Sequence, residues 1–257
     1  MHHYPGWAQE FARKYLGKTL NHFVLHGNVR DYVLLRDANG GETTPGPVFQ
    51  RFGTFLAEEL FAARELLLCY DRAGGLQFRD AHSKEDFMSR LQASYQEGGK
   101  EPLPKNPATV LALLDKYFRQ RIGEGKSVAL IIDYAETIIP NSDAGSAASE
   151  ERNVLVSLLK WAQDPSFLAA DFTVVLLAGN LSDLSRNLVQ SPFNASIQVG
   201  LPDAPARQVF IRHFMEDSKL PGPLSALSVE QLAAQTAGLS FIQIKNMLGQ
   251  ARENKLK

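Results

Sequence analysis

The sequence predicts an α/β protein: a three-layer αβα core built on a parallel β-sheet, followed by a small helical domain. Short apolar runs alternate with helical patterns over the first 200 residues, which indicates right-handed crossovers and a parallel sheet. The runs "SVALIID" and "FTVVLLAG" show no polar alternation, so both faces of these strands should be buried. From residue 203 onward the patterns are only helical. We therefore place an α/β core at 1–202 and a helical lid at 203–257.

Helical spacing of the apolar residues, together with capping residues, predicts the helices in chain order. They are expected over 7–20, over 48–62, after Ser83, from the cap-and-first-turn pair Asn106-Pro107, from Ser149 to the breaker Asp164-Pro165, over 203–216, and twice within 228–253. Short apolar runs predict the strands. These are expected over 22–27, 65–71, 127–133, 172–179 and, more weakly, 195–201. Turn-forming residues predict loops over 37–47 and 140–151.

The bulk composition excludes several classes of protein. The chain has 257 residues, 27 basic and 28 acidic residues and a net charge of −1, so no overall field attracts nucleic acid or anionic membranes. Its one cysteine, Cys69, allows neither a disulfide framework nor a cysteine zinc site. No apolar stretch approaches the roughly 20 residues of a membrane span, and the N-terminus lacks the pattern of a signal peptide. We expect a cytoplasmic protein without membrane contacts.

The segment "GEGKS" contains Gly125, Lys126 and Ser127, the end of a phosphate-binding loop motif. The motif G-x-x-x-x-G-K-[ST] needs a glycine at position 120, where the chain has Gln120, and it must connect a strand to a helix. Here a predicted helix precedes the segment and a strand follows it. We interpret Lys126 as an exposed residue of a helix-to-strand turn.

Acidic side chains follow the buried run "VALII". Asp133 should lie at the carboxyl edge of the sheet, where an aspartate can bind the Mg²⁺ of a nucleotide. Glu136 could orient an attacking water, but only if the chain turns directly after Asp133, because three extended residues span roughly 10 Å. Asn180 follows the next buried strand and could contact a γ-phosphate. The plain alternative is that Asp133 binds a nearby backbone N–H, that Glu136 is solvated and that Asn180 belongs to an ordinary Gly-Asn turn.

The ordered set "VALIIDYAE", "FTVVLLAGN", "IQVGLPDAPARQVFIRHF" and "AAQTAGLSFIQIKNMLGQA" resembles a AAA+ ATPase module, over about 128–251. In this resemblance Asp133 corresponds to the Walker B aspartate and Asn180 to the sensor 1 residue. "GLPD" with Arg207 is similar to the segment between the last strand and the lid. The resemblance implies a P-loop-NTPase-like core, a helical lid, and ATP with Mg²⁺ as the ligands of the family.

The resemblance also shows where this chain departs from the family. The first strand is followed by no lysine with an adjacent Ser or Thr, so the β- and γ-phosphates lack their usual partners. An inserted hairpin or loop over "DYVLL" and "NGG" is expected in place of the phosphate-binding loop. If a non-standard cradle exists, it consists of His26, Gly27, Asn28 and Arg30, with Arg30 replacing the lysine.

Other positions of the family pattern are altered as well. Tyr134 stands where family members carry the glutamate that activates water, and the arginine-finger positions fall on Pro192 and Ala195. In the lid, Phe241 and Ile242 replace small residues that touch adenine. Together these changes predict a degenerate module in which the catalytic roles of Asp133, Glu136 and Asn180 are vestigial or weak.

Three functions stay open. The first is a module without hydrolysis, similar to inactive AAA+ domains found in tandem with active ones, which acts in assembly or partner binding. Its partners would be further AAA+ modules, in a homo-oligomer or ring, with an active domain following in an ATP-driven remodelling protein. No cofactor is then expected. The second is an ATPase with a non-standard phosphate loop, in which Asp133 binds Mg²⁺ and ATP binds beside it. The third is a clamp-loader-like nucleic-acid scaffold, which the near-neutral charge disfavours.

Overall fold

The computed structural model of the protein describes residues 4–35, 47–95, 103–142, 149–217 and 227–253. Most of the loop predicted over 37–47, including the "NGG" turn, and the centre of the loop predicted over 140–151 lie outside these ranges. Eight strands are described: β1 His22–Gly27, β2 Tyr32–Leu35, β3 Val48–Arg51, β4 Leu66–Asp71, β5 Gly75–Phe78, β6 Val128–Ile132, β7 Phe172–Ala178 and β8 Asn194–Val199.

Helices connect these strands within the described ranges. They are α1 Gly6–Leu16, α2 Phe52–Phe55, α3 Ala81–Tyr95, α4 Pro107–Gly123, α5 Ser149–Gln163, α6 Pro165–Ala169, α7 Arg186–Val189, α8 Ala204–Asp217, α9 Val229–Gln235 and α10 Phe241–Glu253. A π-helical turn, Leu56–Leu60, continues α2, and single 3₁₀ turns cover Ala135–Thr137 and Leu181–Asp183. In the described part of the chain, none of these helices combines the length and the apolar character that crossing a membrane requires.

Six of the strands form one sheet in the order β5-β4-β6-β7-β1-β8. The pairs β4/β6, β6/β7 and β1/β7 are parallel, and β5 pairs antiparallel with β4. The predicted α/β class with a mostly parallel sheet is therefore confirmed. Because the parallel strands share one direction, the residues that follow β4, β6, β7 and β1 meet at one edge, where open α/β sheets bind ligands.

The larger of two compact units comprises residues 10–29 and 56–198 and buries its sheet on both faces. On one face the Phe118 ring of α4 lies 5.5 Å from Trp161 of α5 and 5.2 Å from Phe172 of β7. On the other face the Phe11 ring of α1 lies 4.6 Å from Phe23 of β1. Burial from both sides explains why the central strands carry no polar alternation.

The smaller unit comprises residues up to 9, 30–55 and from 199 onward. Its core is formed by the lid helices α8, α9 and α10, with Phe210, Phe241 and Ile244 among the buried side chains. Strands β2 and β3 pair as an antiparallel hairpin and add Phe49 to this core, 4.9 Å from Phe210 and 5.4 Å from Phe241. The predicted lid helices are present, but they share their core with a hairpin that lies far away in sequence.

Several local predictions need correction. The helix predicted over 48–62 is wrong at its start, because residues 48–51 pair with 32–35 as β3 and only the following residues are helical. Ser83 does not cap α3, since its backbone N–H donates to the carboxylate of Asp80 at 2.7 Å. Strand β5 was not predicted, because it has only four residues and follows β4 after a short turn. Asn106 caps α4 as predicted, accepting from the Thr109 N–H at 3.0 Å.

Candidate functional site

Asp133 lies directly after β6 at the carboxyl edge of the sheet, as predicted. Its backbone N–H continues the ladder by donating to the Tyr70 carbonyl at 2.9 Å. Its carboxylate accepts a hydrogen bond from the Tyr134 N–H at 2.7 Å. Tyr134 has φ 51° and ψ 44°, a left-handed conformation that is costly for an aromatic residue. This local contact is the plain alternative that the sequence left open for Asp133.

A turn follows immediately and contains Glu136. The 3₁₀ turn Ala135–Thr137 begins after the left-handed Tyr134, and the Thr137 hydroxyl donates to the Tyr134 carbonyl at 2.8 Å. The bend that Glu136 needed in order to stay near the sheet edge is therefore present. One carboxylate oxygen of Glu136 is buried.

Asn180 follows β7, the neighbouring strand, but lies farther along the strand direction than Asp133 does. Ile132 of β6 pairs with Leu176 of β7, so Asn180 lies three residues past the position opposite Asp133, roughly 10 Å of extended chain. Its side-chain amide donates to the carboxylate of Asp183 at 3.1 Å. Asn180 thus stabilises the 3₁₀ turn that follows β7.

His26, Gly27 and Asn28 lie at the end of β1, on the other side of β7. His26 pairs with Ala178, and the Gly27 N–H donates to the Gly179 carbonyl at 3.1 Å. Burial lowers the pKa of His26, so its imidazole is neutral near pH 7 and supplies no positive charge for a phosphate. Arg30, the remaining residue of the predicted cradle, belongs to the smaller unit and not to the unit of the sheet.

Cys69 of β4 lies near the same edge. Its thiol is partly buried, and burial together with the charge of Asp133 raises its pKa to about 11. The thiol therefore stays protonated at neutral pH and is a poor nucleophile.

In the smaller unit, the residues after β1 contact the lid. Asp31 is 2% exposed, and its carboxylate accepts hydrogen bonds from the Phe241 N–H at 2.8 Å and the Ile242 N–H at 2.9 Å. These are N–H groups of the first turn of α10, which no helical carbonyl can satisfy. The next N–H, of Gln243, donates to the Ser240 hydroxyl at 3.2 Å. Sequence reasoning missed Asp31, since a cap usually adjoins the helix in sequence and this one does not.

Phe241 and Ile242, which replace the small adenine-contacting residues of the family pattern, are thus held by Asp31 through their backbone. Arg207, also singled out in the sequence, is 7% exposed and donates to the carbonyls of Ala233 at 2.9 Å and Pro202 at 2.6 Å. Arg207 therefore connects α8 to α9. It is a structural residue of the lid.

Lys126 is not part of a phosphate-binding loop. Gly125 takes a positive φ of 78° between α4 and β6, at the amino end of the strand. The Lys126 ammonium donates to the carboxylate of Glu65 at 2.7 Å, and the Ser127 N–H donates to the same carboxylate at 3.0 Å. The interpretation of "GEGKS" as a helix-to-strand turn is correct, although Lys126 is ion-paired rather than only solvated.

Comparisons with known proteins agree with this architecture. Residues 1–200 match the family described as the AAA+ chaperone N-terminal Rossmann-like domain, and residues 205–257 match the AAA+ chaperone second helical domain. A chain in the solved E. coli MS115-1 HORMA:CdnC:Trip13 complex is similar, with 17% identity and a TM-score of 0.51 over 93% of this chain and 72% of that one. No curated protein matches the sequence.

Proposed function

Because the chain belongs to the AAA+ chaperone family, we propose that it serves assembly or partner binding within a larger ATP-driven remodelling protein and does not hydrolyse ATP itself. One observation carries this proposal. The segment after β1, where the family resemblance places the phosphate-binding loop, contributes Asp31 to the first turn of α10. In this proposal, a contact within the smaller unit stands where other family members have the phosphate-binding loop.

The length of this segment supports the proposal. Strand β1 ends at Gly27 and β2 begins at Tyr32, so only residues 28–31 separate the two strands. The phosphate-binding motif needs eight positions between a strand and the start of a helix. Four residues that end in a hairpin strand are too few to wrap backbone N–H groups around a triphosphate.

The side chains of this part of the sequence also fit a triphosphate poorly. No lysine lies between Lys18 and Lys84, so the segment cannot supply the usual ammonium group. Asp31, the one acidic residue of this segment, is buried and accepts hydrogen bonds from the first turn of α10, so its side chain offers no positive group to a phosphate. The Asp133 carboxylate accepts a hydrogen bond from the Tyr134 N–H, and the Asn180 amide donates one to the Asp183 carboxylate, both within local turns. ATP with Mg²⁺ is therefore not a ligand in this proposal.

The similar solved structure supports a role with protein partners. That structure is a complex with HORMA and CdnC proteins. By analogy, we propose that this chain works beside other proteins, with further AAA+ modules in a ring or oligomer and with an active AAA+ domain that supplies hydrolysis.

An ATPase with a non-standard loop is the second candidate. Gly27 favours it, because its φ of 102° turns the backbone sharply after β1, as a glycine of a phosphate loop does. In this candidate Arg30 replaces the lysine and Asp133 binds Mg²⁺. A nucleic-acid scaffold is disfavoured by the net charge of −1.

Calorimetry with ATP and Mg²⁺ separates these candidates. We expect no binding heat up to millimolar ATP and no phosphate release above the buffer rate. Micromolar binding that disappears in both Asp133→Asn and Arg30→Ala would replace the proposal with the second candidate. Native mass spectrometry of the same sample checks for oligomers, and salt-sensitive binding to DNA would favour the scaffold.

A further inference from the structure

Strand β5 forms an edge of the six-stranded sheet and leaves backbone groups directed outward. The Arg79 N–H donates to the Leu67 carbonyl at 3.3 Å, which defines these two residues as a hydrogen-bonded pair. Antiparallel pairs alternate, so Leu76 and Phe78 of β5 occupy non-hydrogen-bonded positions opposite β4. Their N–H and C=O groups therefore point away from β4. They form the pattern that a further strand can extend.

A concave surface of about 760 Å³ runs along this edge, between β5, α3 and the segment before α4. Apolar side chains from all three elements line it: Leu76, Phe78, Met88 and Leu103. Met88 is 36% exposed, and its side chain is part of the apolar lining of this surface. We call this surface the β5 groove. It combines outward backbone groups with apolar contacts for the side chains of an added strand.

The charges of the β5 groove have one dominant sign. The Nε of Arg79 lies 3.2 Å from a carboxylate oxygen of Asp80, so these two charges neutralise each other. Lys84 is exposed and has no carboxylate partner within the described part of the chain. The Lys105 ammonium donates to the Ala73 carbonyl at 2.7 Å, a neutral acceptor. Two ammonium charges thus lie on the groove without acidic partners among the described residues.

We propose that the β5 groove binds an extended, acidic segment of a partner protein, which adds to the sheet as a strand beside β5. Hydrogen bonds to Leu76 and Phe78 provide the main-chain pairing of this binding mode, and the apolar lining accepts alternate side chains. Lys84 and Lys105 select acidic residues. A second copy of this chain fits less well, because two identical edges would oppose their lysines. The inference goes beyond the proposed function, since it holds whether or not the chain hydrolyses ATP.

Fluorescence anisotropy with designed peptides tests the proposal on the whole chain. The probe is a labelled peptide of about eight residues that alternates valine and glutamate. Its control alternates valine and lysine. Two further probes carry N-methyl groups on alternate residues, one set on each edge of the extended peptide. We expect the glutamate peptide to bind at least fivefold more tightly than the lysine peptide, and only one N-methylated set to weaken binding, because a strand pairs through one of its edges.

Variants locate the binding on the β5 groove. Lys84→Glu should lower the affinity for the glutamate peptide at least fivefold at low salt. This difference in affinity between the variant and the wild type should shrink at high salt, because the charges are screened. The matched control is Lys160→Glu, a charge reversal on the exposed side of α5, which should leave the affinity unchanged. Amide shifts in NMR spectra should move at Leu76 and Phe78 when the peptide is added.

Four outcomes would overturn the proposal. If no peptide binds up to millimolar concentration, the lysines only protect the edge from aggregation. If the two N-methylated peptides bind with equal affinity, the peptide does not pair through one edge as an added strand does. If Lys160→Glu weakens binding as much as Lys84→Glu, the association is general electrostatic attraction and not strand addition. If sedimentation shows a dimer that excludes the peptide, the edge binds a second copy of the chain instead.

Discussion

The carboxylate of Asp31 accepts a hydrogen bond from the backbone N–H of Phe241, a residue 210 positions later in the chain. Asp31 comes just before hairpin strand β2, and Phe241 begins the last lid helix. A carboxylate at a helix N-terminus is favoured by the helix dipole and satisfies N–H groups that have no partner in the helix. This contact fastens the hairpin to the lid.

Replacing Asp31 tests the strength of this contact. Asp31→Ala leaves the buried Phe241 N–H and the partly buried Ile242 N–H without their acceptor, so we expect a loss of about 2–3 kcal/mol in the free energy of unfolding. Asp203→Ala is the control, since Asp203 is an exposed cap that accepts from the Ala206 N–H at 2.8 Å. The control should cost about 1 kcal/mol. Urea denaturation measures both, and equal losses would contradict a special role for Asp31.

The buried His22 predicts a pH dependence of stability. Burial lowers the pKa of His22 from 6.5 to about 3, so the folded protein keeps this imidazole neutral. Below pH 6.5 the unfolded chain binds a proton that the folded chain does not bind. Stability therefore falls as the pH decreases from 6.5 towards 3, and it is unaffected by His22 above that range. Linkage gives a loss of about 2 kcal/mol between pH 7.5 and pH 5.

Variants isolate this contribution from other titrating groups. His22→Gln removes the titrating ring, and the loss of stability between pH 7.5 and pH 5 should shrink by about 2 kcal/mol. His82→Gln, an exposed substitution at the start of α3, should leave the pH dependence as it is in the wild type. A pH dependence that is the same in all three proteins would show that His22 does not carry it.

Cys69 should react slowly with alkylating reagents. Burial and the Asp133 charge raise the pKa of its thiol to about 11, so the rate of iodoacetamide modification should keep rising up to pH 10 without a plateau. Asp133→Asn removes the charge and should speed the reaction at a given pH. The control Glu85→Gln, on the exposed side of α3, should leave the rate of modification unchanged. A plateau below pH 9.5 would contradict the raised pKa.

Lys126 should have no role in nucleotide binding. It pairs with Glu65 at the exposed amino end of the sheet, where solvent weakens ion pairs. Lys126→Ala should leave the Tm unchanged within error, both without and with millimolar ATP and Mg²⁺. If ATP raised the Tm of the wild type but not that of Lys126→Ala, Lys126 would have a role in nucleotide binding and the prediction would be wrong.

Much of the candidate site could be predicted from the sequence, because it depends on strand ends. Apolar runs define where β6 and β7 stop, and this places Asp133 and Asn180 at one edge. The side-chain partners could not be predicted in the same way. The bond from Asn180 to Asp183 and the left-handed Tyr134 depend on turns whose geometry is not encoded by periodicity. The roles of Asp133, Glu136 and Asn180 stay predictions.

The sequence by itself determined the alternation of strands and helices, the helical lid and the lack of a lysine in the segment directly after the first strand. These features follow from local pattern and residue identity. Only the tertiary structure decided that residues 48–51 form a strand and that Asp31 caps α10. Both depend on partners that are distant along the chain. Hydrogen bonds and apolar contacts with such partners override local helix propensity, and no window of sequence contains them.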